Sequence, residues 1–418
     1  MKSLMRAASP VGYRRLLVAV DSSPHSEAAT REAAMLAKHW DSTVTGLHAF
    51  AARLHDRRFR QMENVLPERF QVEQELEHQR TVHESLITKG LDLVSDSYLD
   101  QTETVCTAAK VRFERRGREG KNYRVVLQEA REGAHDLLVL GYQGLGAVQD
   151  GVPGTVCLRV VRKSPVDTLV VKTTDARIGA GPIVVGLDGS HQSYGALLAA
   201  LDLGQRLGAP VHAVAVFDPH FHNVAFNRIR EVLSDEAGKV FRVEDQEQLH
   251  AELIDSGLAK IYQSNLQIGA RIAAKRGAPL QTFLLAGKPW QAVAQHCTDV
   301  GASLLVIGKL GVHADAELDI GGNTELLLSL APTSLLIVQR SHVPDIEVVA
   351  RETVSWTPEA EARLTRVPEF VQPMVRTAVL MWALDRGHTV ITSEVMDQAT
   401  QALKPSGMGS SGSDGGPG

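Results

Sequence analysis

The chain has 418 residues, a formal net charge of −5 and a pI of about 6.4, with 44% hydrophobic and 22% charged residues. This length predicts two or three domains, and the acidic balance argues against nucleic acid or an anionic membrane as a partner. The N-terminus lacks the apolar segment of a secretory signal, no apolar run is long enough to span a bilayer, and the three cysteines are far apart. We therefore predict a cytoplasmic protein without a metal site.

An internal repeat organises most of the chain. The run "RRLLVAVDSS" around Asp21 returns as "GPIVVGLDGS" around Asp188, 167 positions later. The same offset relates "LLVLG" ending at Gly141 to "LLVIG" ending at Gly308. A constant offset at separated positions indicates a tandem duplication of one domain. The predicted boundaries are 12–176 and 181–341 for the two repeats, 345–403 for a small third domain and 404–418 for a disordered tail.

Within each repeat, short apolar runs alternate with amphipathic stretches. In the first repeat "LLVAV" precedes a helical stretch "SPHSEAATREAAMLAKHW", and "TVTGLHAF" precedes a long helical stretch from about Arg69. The apolar runs lack polar alternation, which is typical of strands buried on both faces of a parallel sheet. The order predicts a doubly wound α/β fold. The charged run "RFERRGREG" is predicted to be a short strand or a gap in the alignment of the repeats.

The loop "GYQGLGAVQDGVPGT" suggests a phosphate site. Its glycines Gly141, Gly144 and Gly154 would let backbone amides approach an anion, and Thr155 is predicted to cap a helix whose N-terminus attracts phosphate. Ligands bind beyond the carboxyl ends of strands in open parallel sheets, so Asp21 is expected at the same crevice, where its carboxylate would accept hydrogen bonds from ribose or base. A flexible turn is the alternative interpretation.

Each repeat resembles a universal stress protein domain, through "VAVDSS" and "VGLDGS" and through the loop spacing of the ATP-binding branch of that family. The resemblance covers 12 to about 341. It implies two Rossmann-like, five-stranded parallel sheets and pairing of the last strands, "VDTLVVK" and "TSLLIVQ", into an intramolecular pseudo-dimer. It also implies ATP, with or without Mg²⁺, as the ligand, with adenosine at Asp21 and the phosphates at the glycine loop. The predicted cofactor-binding residues are Ala19, Asp21, Lys121, Gly141, Gly144, Gly154 and Thr155.

The second repeat departs from this pattern. It keeps the spacing at Gly308, Gly311 and Gly321, but Gly322 replaces the hydroxyl residue, and "ADAELD" places three carboxylates between the glycines. Repulsion between these carboxylates and several phosphate charges is expected to cost a few kcal/mol. Together with Asp188, these glycines form a predicted degenerate site that binds ATP poorly. We interpret the carboxylates as a solvated loop, with a metal site as the alternative.

Other polar groups carry weaker signals. Lys121 begins the next helix and could reach a phosphate, with a solvated lysine as the alternative. The arginines of "VRFERRGREGKNYR" are interrupted by glutamates, so we predict a solvated surface rather than nucleic-acid contact. His220 and His222 lack a third metal ligand. No P-loop, GxSxG or HExxH motif is present, so no catalytic residue is predicted and at most a slow ATPase or self-phosphorylating activity.

The third segment is predicted to be helical. A helix is expected after "TP" in "SWTPEAEARL", a central helix from about 369 to 386 and a last helix from about Ser393. Val371, Val375, Val379 and Trp382 form its apolar stripe.

The run "RVPEFVQPMVRTAVLMWALDRGHTVITSEVMDQA" resembles the small C-terminal module of light-independent protochlorophyllide reductase, through Val375-Arg376, Gly387-His388 and Glu394-Val395 among other matches. The cysteine ligands of an iron–sulfur cluster are missing, so none is expected. Trp382 and His388 are interpreted as core residues, with ligand contact as the alternative.

These features predict a regulator or adaptor in the stress response that depends on ATP in its first domain and recruits an unidentified protein through its C-terminal module. The alternative is a non-catalytic scaffold in which nucleotide is structural or absent. The repeats supply their own pseudo-dimer, and further homo-oligomerisation is left open.

Overall fold

The computed structural model describes residues 12–147, 151–175, 177–218, 257–315 and 317–403. The predictions about His220, His222 and the tail at 404–418 therefore fall outside the described residues. The chain divides into two compact units, the first ending at Val343 and the second beginning at Pro344.

The first unit contains two α/β domains of similar order. The strands of the first domain are β1 (Arg15–Ala19), β2 (Thr43–Phe50), β3 (Arg112–Glu119), β4 (Leu137–Gly141) and β5 (Asp167–Val171), and its helices are α1 (Pro24–Trp40), α2 (Ala52–Met62), α3 (Glu73–Ala108), α4 (Asn122–Glu132) and α5 (Thr155–Lys163). The strands of the second domain are β6 (Ile183–Gly186), β7 (Val211–Phe217), β8 (Gln281–Ala286), β9 (Leu304–Gly308) and β10 (Ser334–Val338), and its helices are α6 (His191–Leu207), α7 (Ala259–Lys275), α8 (Pro289–Asp299) and α9 (Gly322–Leu330).

The ten strands found in the described residues of this unit form one sheet, in the order β3-β2-β1-β4-β5-β10-β9-β6-β7-β8. Pairing is parallel within each domain, whereas β5 and β10 pair antiparallel, with Leu169 opposite Leu336. In the first domain the chain leaves β1 toward β2 on one side and returns to β4 on the other. That reversal creates the crevice in which ligands of such sheets bind. The predicted doubly wound α/β fold class is confirmed.

The central strands are buried on both faces. Leu16, Leu17 and Val18, three successive residues of β1, have no exposed surface. Helices therefore cover both sides of the sheet, and this explains why the strand runs show no polar alternation.

The prediction that "RFERRGREG" forms only a short strand was wrong. β3 is eight residues long and pairs with β2 along its whole length. It lies at the edge of the sheet, where charged side chains stay in water and find partners: Glu114 lies 3.3 Å from an Arg15 guanidinium nitrogen, and Arg118 lies 2.8 Å from Glu129. Edge position and ion pairing, rather than burial, allow this sequence to form a strand.

Two lysines cross between the domains, of which Lys309 is buried and Lys172 is half-buried. Lys172 Nζ donates to the carbonyl oxygens of Ala331 (2.7 Å) and Ser329 (3.1 Å) at the end of α9, and Lys309 Nζ donates to Ser164 O (3.2 Å) at the end of α5. Each domain thus places a cation at the helix C-terminus of the other, where the backbone carries partial negative charge.

Substituting Lys172 is expected to change how stability depends on pH. Burial lowers the pKa of Lys172 from 10.5 to about 8. Between these values the unfolded chain binds a proton that the folded chain has lost, so the free energy of unfolding rises with pH from about 8 to 10.5. Lys172→Gln should lack this rise, and chemical unfolding of both proteins at pH 7 and pH 10 measures the difference.

The second repeat indicates that glutamine fits at this position. Gln339 is the residue 167 positions after Lys172, and its Nε2 donates to Ser164 O at 2.8 Å. An identical pH dependence of wild type and Lys172→Gln would contradict the prediction.

The C-terminal unit is small and mainly helical. Its elements are α10 (Ile346–Thr353), β11 (Ser355–Trp356), α11 (Pro358–Leu364), α12 (Gln372–Asp385), β12 (Val390–Ile391) and α13 (Ser393–Leu403). As the "TP" signal predicts, Thr357 caps α11, its Oγ1 accepting from Ala360 N at 3.3 Å.

The predicted apolar stripe of this unit lies largely in its core. Val379 is buried, and Val375 and Trp382 pack against the same cluster, whereas Val371 precedes α12 as its N-cap. The Trp382 and His388 rings are stacked with centroids 5.8 Å apart. Among the helices that the structure describes, none is long and apolar enough to cross a bilayer.

Candidate functional site

A cavity of about 750 Å³ opens at the carboxyl ends of β1, β2 and β4 in the first domain. It brings together every predicted cofactor-binding residue except Lys121. These are Ala19, Asp21, Gly141, Gly144, Gly154 and Thr155. Residues from five separate segments of the chain therefore surround one space.

Asp21 connects the end of β1 to the glycine loop. Its Oδ1 accepts a hydrogen bond from Ser23 N at 3.0 Å, and its Oδ2 accepts one from Leu145 N at 3.2 Å. Gly144 lies against the same carboxylate, because a Cβ added there would stand 2.4 Å from Asp21 Oδ2. A carboxylate has about four lone-pair sites, so acceptor capacity remains for a ligand hydroxyl.

The loop leads directly into α5. Gly154 is the N-cap, with an extended backbone (φ −60°, ψ 147°), and its amide donates to Tyr142 O at 2.8 Å. Thr155 is the first helical residue, so the prediction that it caps the helix was wrong. Among the described residues, no side chain caps α5. The amides of its first turn are thus available to an anion at the positive end of the helix.

Gly141 has a packing role. A Cβ at this position would lie 2.7 Å from the carbonyl carbon of His25 in the first turn of α1. The glycine therefore allows α1 to pack closely on the end of β4, whether or not a ligand is present.

Lys121 lies next to the cavity in the chain but does not line it. It is the N-cap of α4, and its Nζ is 5.6 Å from the ring centroid of Tyr123. Its neighbour Asn122 lines the cavity instead. Nucleotide binding stays a prediction, both for Lys121 and for the residues that line the cavity.

Sequence reasoning missed the wall formed by β2 and α3. His48 and Phe50 come from the end of β2, and Tyr98 comes from α3. The His48 ring packs edge-on against Tyr98 at 5.0 Å, and its Nδ1 is buried without a hydrogen-bond partner in the described part of the chain. Burial lowers the pKa of His48, which favours a neutral ring. The only sequence feature that could have indicated His48 as a cavity residue was its position near the end of a predicted strand.

The second repeat has the same arrangement of aspartate, glycine loop and helix start. Asp188 Oδ1 accepts from Ser190 N (3.0 Å) and Oδ2 from Val312 N (2.9 Å), and a Cβ at Gly311 would lie 2.6 Å from that Oδ2. Gly321 caps α9, which begins at Gly322.

The glycine loops of the two repeats differ in charge rather than in backbone arrangement. Asp315, Glu317 and Asp319 are all exposed, as expected of a solvated loop. Gly308 lies close to Gln192, whose side chain would be 3.1 Å from an added Cβ. No group of three potential metal ligands exists among the residues that the structure covers.

Known proteins match the two units separately. The universal stress protein family matches residues 12–172 and 180–339, and the family described as proto-chlorophyllide reductase 57 kD subunit matches 356–399. A light-independent protochlorophyllide reductase polypeptide from Roseiflexus sp. is 30% identical over 91 residues, or 22% of this chain. The chain spans only 16% of the length of that polypeptide.

A putative universal stress protein from Staphylococcus epidermidis is 28% identical over 167 residues, covering 40% of this chain and 87% of that protein. The crystal structure of a universal stress protein from Archaeoglobus fulgidus aligns with a TM-score of 0.50 and 13% identity, covering 78% of this chain and 98% of that one. The family model matches both repeats, which together make up most of the sequence, and the order of strands and the glycine loop recur in both. The chain belongs to the universal stress protein family.

Proposed function

We propose that the first domain binds ATP and that the chain is a nucleotide-dependent regulator or adaptor in the stress response. The observation that carries the proposal is the convergence of Asp21, the Gly144 loop and the uncapped start of α5 on one cavity. Its volume of about 750 Å³ falls in the range of small-molecule sites, about 300–1,000 Å³.

Each part of a nucleotide has a matching group. The Asp21 carboxylate suits ribose hydroxyls, and apolar side chains such as Leu47 and Val126 suit a base. The amides at the start of α5 suit phosphates, because they are donors at the positive end of the helix dipole.

The adaptor part of the proposal draws on the C-terminal unit. This unit has its own core and a cavity of about 460 Å³ lined by Trp356 and Arg376 among others. The Arg376 guanidinium lies 4.8 Å from the Trp356 ring centroid. An independent core with its own concave surface also favours the alternative, a scaffold in which this unit alone recruits partners.

Hydrogen exchange of the full chain with and without ATP separates these functions. Protection changes that extend beyond the cavity into the C-terminal unit are expected of a regulator. Changes confined to the first domain would favour the scaffold. An assay of phosphate release tests separately for slow hydrolysis.

Binding is expected to be asymmetric between the domains. Chromatography of nucleotide released from the denatured protein identifies the ligand, and calorimetry should give about one ATP per chain. Neutralising the second loop with Asp315→Asn, Glu317→Gln and Asp319→Asn removes three charges that repel phosphate and should raise affinity at a second site. Two sites of equal affinity in the wild type would contradict the asymmetry.

A further inference from the structure

Three cations gather around one tyrosine at the start of α4. Lys121 Nζ lies 5.6 Å and Arg159 Cζ lies 5.1 Å from the Tyr123 ring centroid, and Arg124 Nε donates to the Tyr123 hydroxyl at 3.3 Å. We call Lys121, Arg124 and Arg159 the cationic cluster. All three are exposed.

The cationic cluster differs from the arginines of the adjacent strand. Arg115, Arg116 and Arg118 of β3 form ion pairs with Asp100, Glu114 and Glu129. None of the three cluster residues forms an ion pair with a carboxylate in the described ranges. Three like charges held together without a counter-ion repel one another, and an anion from solution relieves that repulsion.

The cationic cluster lies beside the cavity. Asn122 and Thr155 line the cavity, and Lys121 and Tyr123 flank Asn122 in the chain. Arg159 follows Thr155 by four residues, so both lie on one face of α5. Helical side chains lean toward the N-terminus of their helix, and in α5 that is the end at which Thr155 lines the cavity.

We propose that the cationic cluster is a subsite for the terminal phosphates of the bound nucleotide, so that the first domain distinguishes nucleoside triphosphates from monophosphates. This inference rests on the proposed function. The guanidinium groups of arginine and the ammonium group of lysine are good donors to phosphate oxygens. A triphosphate brings more negative charge to them than a monophosphate does.

The second repeat lacks this arrangement. At the same offset, Trp290, Gln291 and Leu326 stand in place of Tyr123, Arg124 and Arg159. The remaining lysine, Lys288, lies 2.6 Å from the Asp218 carboxylate. Its cation is therefore already paired, and the acidic loop of that repeat adds negative charge.

The potential around Tyr123 is consistent with an anion site. The hydrogen bond from Arg124, followed by the charges of Arg124, Lys121 and Arg159, lowers the pKa of the Tyr123 hydroxyl.

The test removes two cations and compares nucleotides that differ only in phosphate number. Calorimetry of the full chain measures ATP, ADP and AMP binding to wild type and to Arg124→Gln/Arg159→Gln. The matched control is Arg131→Gln/Lys163→Gln, which removes one exposed cation from the last turn of each of the same two helices. Thermal unfolding verifies that all three proteins are folded.

We expect the double variant to bind ATP about tenfold more weakly while its AMP affinity stays within about twofold, and the control to resemble wild type. The wild-type preference for ATP over AMP should fall as salt is raised, because salt screens exposed charges. Equal losses for ATP and AMP, or an equal loss in the control, would overturn the subsite while ATP binding stands. Failure of wild type to bind any of the three nucleotides would overturn the proposed function as well.

Discussion

Gly144→Ala is expected to weaken ATP binding by about 100-fold, which corresponds to about 3 kcal/mol. The added Cβ would lie 2.4 Å from Asp21 Oδ2, well inside contact distance. Either the loop or the Asp21 carboxylate must move, and the hydrogen bond from Leu145 N to that oxygen is then lost. The ribose acceptor and the phosphate-binding loop are displaced together. Calorimetric titration with ATP measures the effect.

Two other glycines supply the controls. Gly146 lies in the same loop and also lines the cavity, but a Cβ there meets no atom of the described residues within 4 Å, so Gly146→Ala should bind almost as wild type does. Gly311→Ala creates the equivalent collision with Asp188 in the second repeat, at 2.6 Å. It should leave first-domain binding unchanged. Retention of wild-type affinity by Gly144→Ala would contradict the assignment of the site.

Asp167→Ala is expected to lower the free energy of unfolding by about 3–5 kcal/mol. Asp167 is only 2% exposed and lies where the two domains join. Its carboxylate accepts from Tyr13 OH (2.8 Å), Gln339 N (2.7 Å) and Arg340 Nε (2.6 Å). Removing it leaves a partly buried guanidinium and other donors without their acceptor. Chemical unfolding followed by circular dichroism measures the loss of stability.

An exposed ion pair across the same junction is the control. Arg162 and Glu325 pair between α5 and α9 with both side chains more than a third exposed. Glu325→Gln should therefore cost less than about 1 kcal/mol. Similar losses of unfolding free energy for Asp167→Ala and Glu325→Gln would show that burial does not determine how much an ion pair between the domains contributes to stability.

Sequence reasoning was most accurate where the information is local. The predicted fold class is confirmed, and the "TP" helix start and the last helix lie where their capping signals indicate. It failed at β3, because a charged strand at a sheet edge cannot be distinguished from a loop by apolar periodicity. It also placed the α5 cap one residue late, because glycine is itself among the favoured N-cap residues.

The sequence by itself determined the duplication, the order of strands and helices, and the loop spacing that places Gly144 beside Asp21. These follow from offsets and short-range patterns along the chain. Only the tertiary structure decided that Tyr98 packs edge-on against His48 in the cavity wall, or that Arg159 and Lys121 both approach the Tyr123 ring. Such contacts join residues that are far apart in sequence, and they depend on how helices pack on the sheet, which periodicity does not encode.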